Sequence, residues 1–578
     1  MLGHMAKNLA LTHERVDDIP LLIGLARRMR LPEFLDLRLG NHGHHQGLSN
    51  GWVGVVWLAY ILSQGDHRKS SVEDWAWKHR CTLEKLLDQP LRRVDFSDDR
   101  LGIVLHRLSQ TPAWYALEAD LWQSTVVVYE IELTGVRLDS TTTYGYHALT
   151  EDGLMQYGHS KDHRPDLPQL KLMAAAAEPS GYWIAGDVVC GQTADDPLYR
   201  PLIARVRQVL GRSGLLYAGD CKMAALATRA DIAAHHDYYL VPLPLTEEHT
   251  AQLRGWLQTP PAEGQATTLV WNDDELIGGG DEFERQLSAE VAGKPVAWTE
   301  RVQLVYSSTL ARQQAAGLEQ RLLRAEAELR ALTPTPGRGR RQYREPAALE
   351  QAMSKVLAQR DVTGLLQVTW SKVDDVRTHY IGRGRGGPDR DTRTETVVRC
   401  AINLVERDVA AIAQHQQLLG WRILVTNLPA AQMTLSQTIL HYRQGWCLER
   451  DFHLLKDMPL GISPLYVRRD DQILGLTRLL TLALRLLTLL EVQTRRGLAQ
   501  AGATLAGLYP GQPTRATDHP TGVRLLKAVA QAEITLTKVE ALGETSWHIT
   551  PLPVWIERVL GYLGLSHTLY ANLAENSP

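Results

Sequence analysis

The sequence predicts an α/β fold in which a mixed sheet is interrupted by a large α+β insertion, with helical regions at both ends of the chain. Residues 126–245 show an order of short apolar runs and helical patterns that corresponds to β-β-β-α-β-α-β. The alternation of strand-like and helical patterns is lost after Leu245 and returns at WRILVTN, residues 421–427. Over 578 residues, 44% hydrophobic and 22% charged residues are typical of a globular protein with several buried cores.

The first 125 residues read as a helical region, with apolar segments such as GWVGVVWLAYILS joined by polar loops. One loop, GNHGHHQGLSNG, contains His42, His44 and His45. No carboxylate or cysteine lies at ligand spacing from them, so we interpret them as loop histidines and not as a metal site.

Membrane insertion and disulfide bonding are not indicated. The N-terminus lacks the long apolar core of a signal peptide, and the apolar run 52–62 is too short to cross a bilayer. The longer run 473–490 contains Arg478 and Arg485, which are seven residues apart. This pattern favours a buried helix with both arginines on one face. The five cysteines are scattered without a CxxC pair. We therefore expect a cytoplasmic protein without a membrane span.

Two aspartates stand out in the first part of the predicted sheet, because aspartate is disfavoured within strands. Asp139 lies in VRLDSTTTY, on or at the end of a strand, and Asp220 closes GLLYAGD just before a helix. The ends of strands are where α/β sheets build their sites. Either residue alone is also explained as a turn former, and Asp220 as the N-cap of a helix starting near Lys222.

The insertion is predicted to lie outside the sheet. It mixes strand-like pieces such as ERVQLVYSS with a charged helical pair that is broken by TPTPGRGRRQY. The predicted division is 1–125, an N-terminal helical domain; 126–245, the first part of the sheet domain; 246–418, the insertion; 419–495, the second part of the sheet domain; and 496–578, a C-terminal region.

The segment HYRQGWCLERDFHLLKD, residues 441–457, places Tyr442, Glu449 and Lys456 at intervals of seven. On one α-helix this spacing aligns a hydroxyl, a carboxylate and an amine on a single face. Leu448, Phe452 and Leu455 would form a separate apolar stripe. The alternative is that Glu449 and Lys456 are ordinary surface charges on a packed helix.

The three acids Asp139, Asp220 and Glu449 suit an oxygen-rich site for two magnesium ions. Magnesium in such a site serves phosphate chemistry, although the net charge of −3 argues against a simple basic nucleic-acid binder. Basic residues concentrate in 337–344, 377–393 and 466–470. These runs are interpreted either as solvated loops or as phosphate contacts.

These motifs together resemble the DDE transposases of bacterial insertion sequences, in the group with a Tyr-Arg-Glu-Lys signature around the third acid. Tyr442, Glu449 and Lys456 match the spacing Tyr-x2-Arg-x3-Glu-x6-Lys, whereas the arginine position is Gly445, with Arg443 nearby. GHSKDHRPDLPQLKLM (158–173) and GQTADDPLY (191–199) also resemble segments of this family. The resemblance runs from about residue 40 to about residue 495.

The resemblance implies a ribonuclease H-like sheet whose three acids, Asp139, Asp220 and Glu449, bind two Mg²⁺ ions, with Mn²⁺ able to substitute. It implies cleavage of double-stranded DNA at the terminal inverted repeats, then attack of the freed 3′ hydroxyl on target DNA. A homodimer would form the synaptic complex, with residues 1–125 binding the ends and 496–578 serving dimerisation.

Contacts to the DNA are expected from two places. Tyr442, Arg443 and Lys456 would contact the backbone at the transposon end. Lys161, His163 and Arg164 form a basic cluster before a strand and are expected near the active-site DNA, the alternative being a solvated hairpin. Related enzymes with a β-rich insertion hold a flipped base against a tryptophan. Four residues are candidates for that role: Trp256, Trp271, Trp298 and Trp370.

Two other classes of function remain open from the sequence. One is a domesticated transposase that binds DNA without cutting it, and the other is a ribonuclease H-like metal-dependent nuclease without strand transfer. Intact acids at positions 139, 220 and 449 argue against the first.

Overall fold

The computed structural model describes residues 9–40, 46–258, 268–272, 275–337, 339–383, 388–541 and 544–575. The three loop histidines, His42, His44 and His45, lie outside the described residues.

The N-terminal region is helical after one short strand. Its elements are β1 (Leu9–Arg15), α1 (Ile19–Arg28), α2 (Leu31–Leu39), α3 (Asn50–Gln64), α4 (Val72–Lys78), α5 (Arg80–Leu87), α6 (Asp98–Leu108) and α7 (Thr111–Tyr129). Strand β1 pairs antiparallel with residues 535–541 near the other end of the chain.

The prediction that residues 126–129 begin a strand was wrong. They end α7, because a buried stripe at helical spacing continues through Thr125 and Tyr129 and overrides the β propensity of three valines.

The next region has the predicted order of elements. They are β2 (Gly135–Tyr144), β3 (Gln169–Glu178), β4 (Tyr182–Cys190), α8 (Tyr199–Leu210), β5 (Leu216–Ala218), α9 (Leu226–Ala234) and β6 (Tyr238–Pro242). The strands lie in the order β4-β3-β2-β5-β6. The pairs β2–β3 and β3–β4 are antiparallel, whereas β2–β5 and β5–β6 are parallel. The predicted α/β class with a mixed sheet is therefore confirmed.

Residues 246–418 contribute to the same sheet. They form α10 (Glu247–Gln258), β7 (Thr268–Asn272), β8 (Glu275–Val291), β9 (Lys294–Tyr306), α11 (Ser308–Leu332), α12 (Pro346–Gln359), β10 (Leu366–Tyr380), β11 (Thr392–Arg407) and α13 (Val409–Gln416), followed by β12 (Trp421–Thr426). The sheet has nine strands in the order β4-β3-β2-β5-β6-β12-β9-β8-β7. The prediction that this region lies outside the sheet was wrong for β7, β8 and β9, because β12 pairs with both β6 and β9.

The two remaining strands of that region are not part of the nine-stranded sheet. Strands β10 and β11 form a two-stranded antiparallel ribbon. The base of this ribbon packs with α11 and α12 around a small core of its own, which includes Leu318, Leu322, Leu329 and Val405. The division of the chain into five domains stays a prediction.

The C-terminal part is mainly helical. It contains α14 (Leu435–Arg443), α15 (Trp446–Lys456), α16 (Asp470–Ala501), β13 (Leu505–Ala506), β14 (Ala516–Thr517), α17 (Gly522–Gln531), β15 (Thr535–Ala541), β16 (Glu544–Ile549) and α18 (Val554–Tyr562). Helix α16 is long and apolar enough to cross a membrane by length and composition, yet 94% of its most apolar window is buried within the protein. The predicted buried helix is confirmed, and its Arg485 forms an ion pair of 2.7 Å with Glu118 of α7.

The segment 441–457 is not one helix, which corrects the predicted common face for Tyr442, Glu449 and Lys456. Helix α14 ends at Arg443 and α15 begins at Trp446. The carbonyl of His441, which would accept from residue 445 in a continuous helix, instead accepts from Gln444 N at 3.1 Å and from Arg137 Nη2 at 3.0 Å. A glycine at 445 adds to the break, since glycine is a poor helix former.

Candidate active site

Asp139 lies on β2, and Asp220 lies just after the neighbouring strand β5. Strands β2 and β5 are parallel, with Val136 opposite Tyr217 and Arg137 opposite Ala218. Two residues further along this register, Asp139 is level with Asp220. Asp139 is in the middle of β2 and not at its end, but β5 stops at Ala218, so the site opens at the short strand's carboxyl end.

The carboxylate of Asp139 is largely buried, with 29% of its side chain exposed. Its Oδ1 accepts from Ser140 N at 2.6 Å and lies 3.4 Å from Lys161 Nζ. Burial raises the pKa of Asp139, and the nearby Asp220 raises it further, while Lys161 opposes both effects. The two aspartates therefore interact electrostatically, and Lys161 partly neutralises them.

Asp220 is held at the turn after β5. Its Oδ1 accepts from Tyr199 OH at 2.7 Å and from Lys222 N at 2.9 Å. Burial and then the charges of Asp220 and Asp139 raise the pKa of Tyr199, which stays a hydrogen-bond donor. Helix α9 begins at Leu226 after Ala225, so the reading of Asp220 as its N-cap was wrong.

Glu449 lies in the first turn of α15. Its side chain is exposed, and it lines with the two aspartates a cleft of about 290 Å³. The charged and tyrosine side chains that line this cleft are Arg137, Asp139, Asp220, Arg422, Tyr442, Arg443 and Glu449. The structure thus brings the three predicted acids to one cleft, with three arginines in the same wall.

The chemistry of this donor set fits divalent cations, because carboxylate oxygens are the ligands that magnesium prefers. Burial, and in addition the charge of Asp220, raise the pKa of Asp139, so the two carboxylates repel each other when both are ionised. Within the described ranges, no group of three or more His, Cys, Asp or Glu side chains is close enough to form a metal site. The convergence of all three acids on one metal cluster stays a prediction.

The comparison with protein families decides the class of this chain. A family model described as the transposase DDE domain matches residues 132–486, which is more than half of the chain. The chain belongs to the transposase DDE domain family. The matched range includes all three acids of the cleft and the strands and helices that carry them. The resemblance to DDE transposases is confirmed at this level, whereas the origin in a bacterial insertion sequence and the signature stay predictions.

A search of curated proteins found no match to the chain. Among solved structures, a cryo-EM structure of a piggyBac transposase synaptic complex with hairpin DNA is similar at 7% identity and a TM-score of 0.32, covering 90% of this chain and 82% of that chain. A TM-score this low supports no conclusion about fold or function.

The predicted DNA contacts of the transposase domain lie in different places. Tyr442 and Arg443 line the cleft from the end of α14. Tyr442 is half-buried, with the guanidinium of Arg137 5.7 Å from its ring centroid, and burial raises its pKa. Lys456 lies at the other end of α15, where its Nζ is 2.5 Å from Asp162 Oδ1. It is not among the residues that line the cleft.

The basic cluster before β3 is divided by the fold. Lys161 donates to Ser140 O at 2.6 Å and to Ser140 Oγ at 2.8 Å, which holds it beside Asp139. His163 is exposed, and Arg164 pairs with Asp166 at 2.8 Å. Of the three predicted residues, the structure brings only Lys161 to the acids.

Sequence reasoning missed two arginines in the cleft of the transposase domain. Arg137 lies two residues before Asp139 on β2, so the two side chains share a face of the sheet. The spacing of two residues between Arg137 and Asp139 in a predicted strand could have identified Arg137 from the sequence. Arg422 lies in β12, and its position depends on the pairing of β12 with β6, for which the local sequence gives no signal.

The four candidate tryptophans lie in different environments. Trp298 is buried and donates to Tyr239 OH at 2.8 Å, and Trp256 packs against Phe283. Trp271 is exposed on β7 and Trp370 is half-buried on β10. None of the four is among the described residues that line the cleft.

Proposed function

We propose that this chain cleaves DNA at the ends of a transposon and joins the freed 3′ hydroxyl to target DNA. One observation carries the proposal: Asp139 on β2, Asp220 just after the parallel strand β5, and Glu449 on α15 line one cleft within the region that matches the transposase family. Phosphoryl transfer depends on such oxygen ligands held on rigid elements.

The proposed fold of the catalytic part is ribonuclease H-like. Its support is the strand order β4-β3-β2-β5-β6, with the first three strands antiparallel and the next two added parallel to β2. In this arrangement the central strand β2 carries Asp139 and its parallel neighbour leads to Asp220.

The three carboxylates are proposed to hold two Mg²⁺ ions, for which Mn²⁺ can substitute. When bound, the ions activate the attacking oxygen and stabilise the leaving oxygen of the phosphodiester. Asp139 accepts from Ser140 N, and Asp220 from Tyr199 OH and Lys222 N. These hydrogen bonds fix the two strand carboxylates, whereas the exposed Glu449 has the freedom to adjust.

The part of the cleft wall formed by Arg422, Tyr442 and Arg443 is proposed to bind the DNA backbone. Arg422, Tyr442 and Arg443 lie beside the acids, where guanidinium and phenol groups can donate to phosphate oxygens. Lys161 and Lys456 flank this wall. Each is already paired with a carboxylate, Asp139 and Asp162 respectively, so binding to phosphate would exchange one anionic partner for another.

The partner is proposed to be double-stranded DNA, as terminal inverted repeats and as target, bound by a homodimer in the bacterial cytoplasm at the nucleoid. Residues 1–125 are proposed to bind the ends, and residues 496–578 to serve dimerisation.

A joining assay tests this function against the two alternatives. The substrate is a labelled duplex that carries the inverted repeat found in the DNA flanking the gene, mixed with a supercoiled plasmid and Mg²⁺. A transposase gives labelled plasmid, a nuclease gives only shortened duplex, and a domesticated derivative gives only a shifted complex. Asp220→Asn, which keeps shape but removes charge, should bind the duplex and give neither product.

A further inference from the structure

Position 445 has no side chain, although its backbone does not require glycine. Gly445 has φ −56° and ψ −14°, an ordinary right-handed conformation that any residue adopts. A Cβ atom at this position would lie 3.5 Å from Arg137 Nη1 and 3.6 Å from Arg137 Cζ, which is ordinary contact. A guanidinium from a different element therefore already lies beside the place where the signature carries arginine.

Arg137 is held firmly in this position. It is 5% exposed, and its Nε donates to Glu178 Oε1 at 2.6 Å while Nη2 donates to His441 O at 3.0 Å. Glu178 is fully buried, and its Oε2 also lies 2.8 Å from His441 Nε2. These contacts fix the plane of the guanidinium and leave Nη1 as the nitrogen directed toward Gly445.

Arg137 is located where its guanidinium can contact a phosphate in the cleft. It lies on the same strand and the same face as Asp139, and it lines the cleft together with Arg422 and the three acids. A planar guanidinium whose orientation is fixed by a carboxylate binds phosphate at a smaller entropic cost than a flexible surface side chain.

We infer that Arg137 contacts a DNA phosphate beside the scissile bond, in place of a side chain at position 445, and that Glu178 and His441 orient it for this contact. The inference rests on the proposed function. It assigns Arg137 as a binding residue, and Glu178 and His441 as positioning residues.

The test measures the binding of the labelled end duplex by fluorescence anisotropy between about 50 and 200 mM salt. The slope of log K against log salt is negative, and each lost phosphate contact lowers its magnitude by about 0.9. In the double variant Arg137→Met/Glu178→Gln, which removes both charges of the buried pair, we expect about tenfold weaker binding and the lower slope. Adding Gly445→Arg to that double variant should restore both.

Two controls separate a direct contact from a structural effect. Arg229→Met removes another buried arginine paired with a glutamate, Glu300, and should leave the slope unchanged. Should the double variant fail to fold, Gly445→Glu against Gly445→Gln takes its place, since a side chain fits at 445 and only the glutamate pairs with Arg137. The glutamate should lower the slope and the glutamine should not.

An unchanged slope in the double variant, or no restoration by Gly445→Arg, would overturn the inference while leaving the proposed function intact if the unmodified chain still binds and joins the ends. If the unmodified chain neither binds nor joins them, the proposed function fails as well.

Discussion

Asp139 on β2 lies beside Asp220, which follows the adjacent parallel strand β5, and burial together with the charge of Asp220 raises the pKa of Asp139. The Lys161 ammonium, 3.4 Å from Asp139 Oδ1, offsets part of that repulsion. The pair is thus arranged to attract cations, and a lysine from the loop before β3 already serves as one.

Removal of Lys161 should strengthen metal binding. In Lys161→Met the ammonium no longer competes for Asp139, so we expect about three- to tenfold tighter binding of Mn²⁺, judged from the roughly 1 kcal/mol between unit charges at this distance under water-like screening, since both side chains are 29% exposed. Titration calorimetry measures the affinity, and the rise in melting temperature on adding Mn²⁺ should be larger than in the unmodified chain. Lys372→Met, an exposed lysine on β10, is the control. Equal affinities in the two variants would show that Lys161 does not act on the metal site.

Lys456 is expected to contribute one phosphate contact although it is paired with Asp162. Lys456→Met should lower the magnitude of the negative salt slope of end binding by about 0.9. Asp162→Asn keeps the ammonium and should leave that slope unchanged, while hydrogen exchange over residues 158–166 increases because the loop loses its tie to α15. If both variants show the slope of the unmodified chain, Lys456 does not contact the backbone.

The buried carboxyl of Asp18 predicts a pH dependence of stability far from the cleft. Burial raises its pKa from 3.8 to about 7, against a hydrogen bond from Ser63. Because the folded state binds this proton more tightly than the unfolded state, the stabilisation is complete below about pH 4 and is lost as the pH rises through about 7. Asp18→Asn, which cannot ionise, should therefore melt at a higher temperature than the unmodified chain at about pH 8, with the difference shrinking at low pH.

The matched control is Asp99→Asn, an exposed aspartate in the first turn of α6. Its melting temperature should follow that of the unmodified chain across the pH range. A constant difference between Asp18→Asn and the unmodified chain at all pH values would show that Asp18 does not titrate in this range.

Some features of the site could be predicted from sequence because they depend on local patterns. Aspartates within apolar runs identified Asp139 and Asp220, and spacing around the third acid identified Glu449. The order of strands and helices in residues 126–245 followed from the periodicity of apolar residues and the length of each segment.

Other features depend on contacts between distant segments. The break between α14 and α15 arises where Arg137, on a strand far away in sequence, takes the carbonyl of His441. Strands β7, β8 and β9 join the sheet because β9 pairs with β12. Strand β1, near the start of the chain, pairs with β15, near its end. Local propensity contains no information about such pairings.

The most direct test of the central claim, that the three acids act together, is end cleavage by Glu449→Gln in Mg²⁺. Asp457→Asn, an exposed acid just after α15, is the matched control. Cleavage and binding of the labelled end duplex are measured together. We predict that Glu449→Gln binds the duplex normally but cleaves it at least about 100-fold more slowly, a loss of about 2.7 kcal/mol or more in transition-state stabilisation. Cleavage by Glu449→Gln at the rate of the unmodified chain would contradict the account.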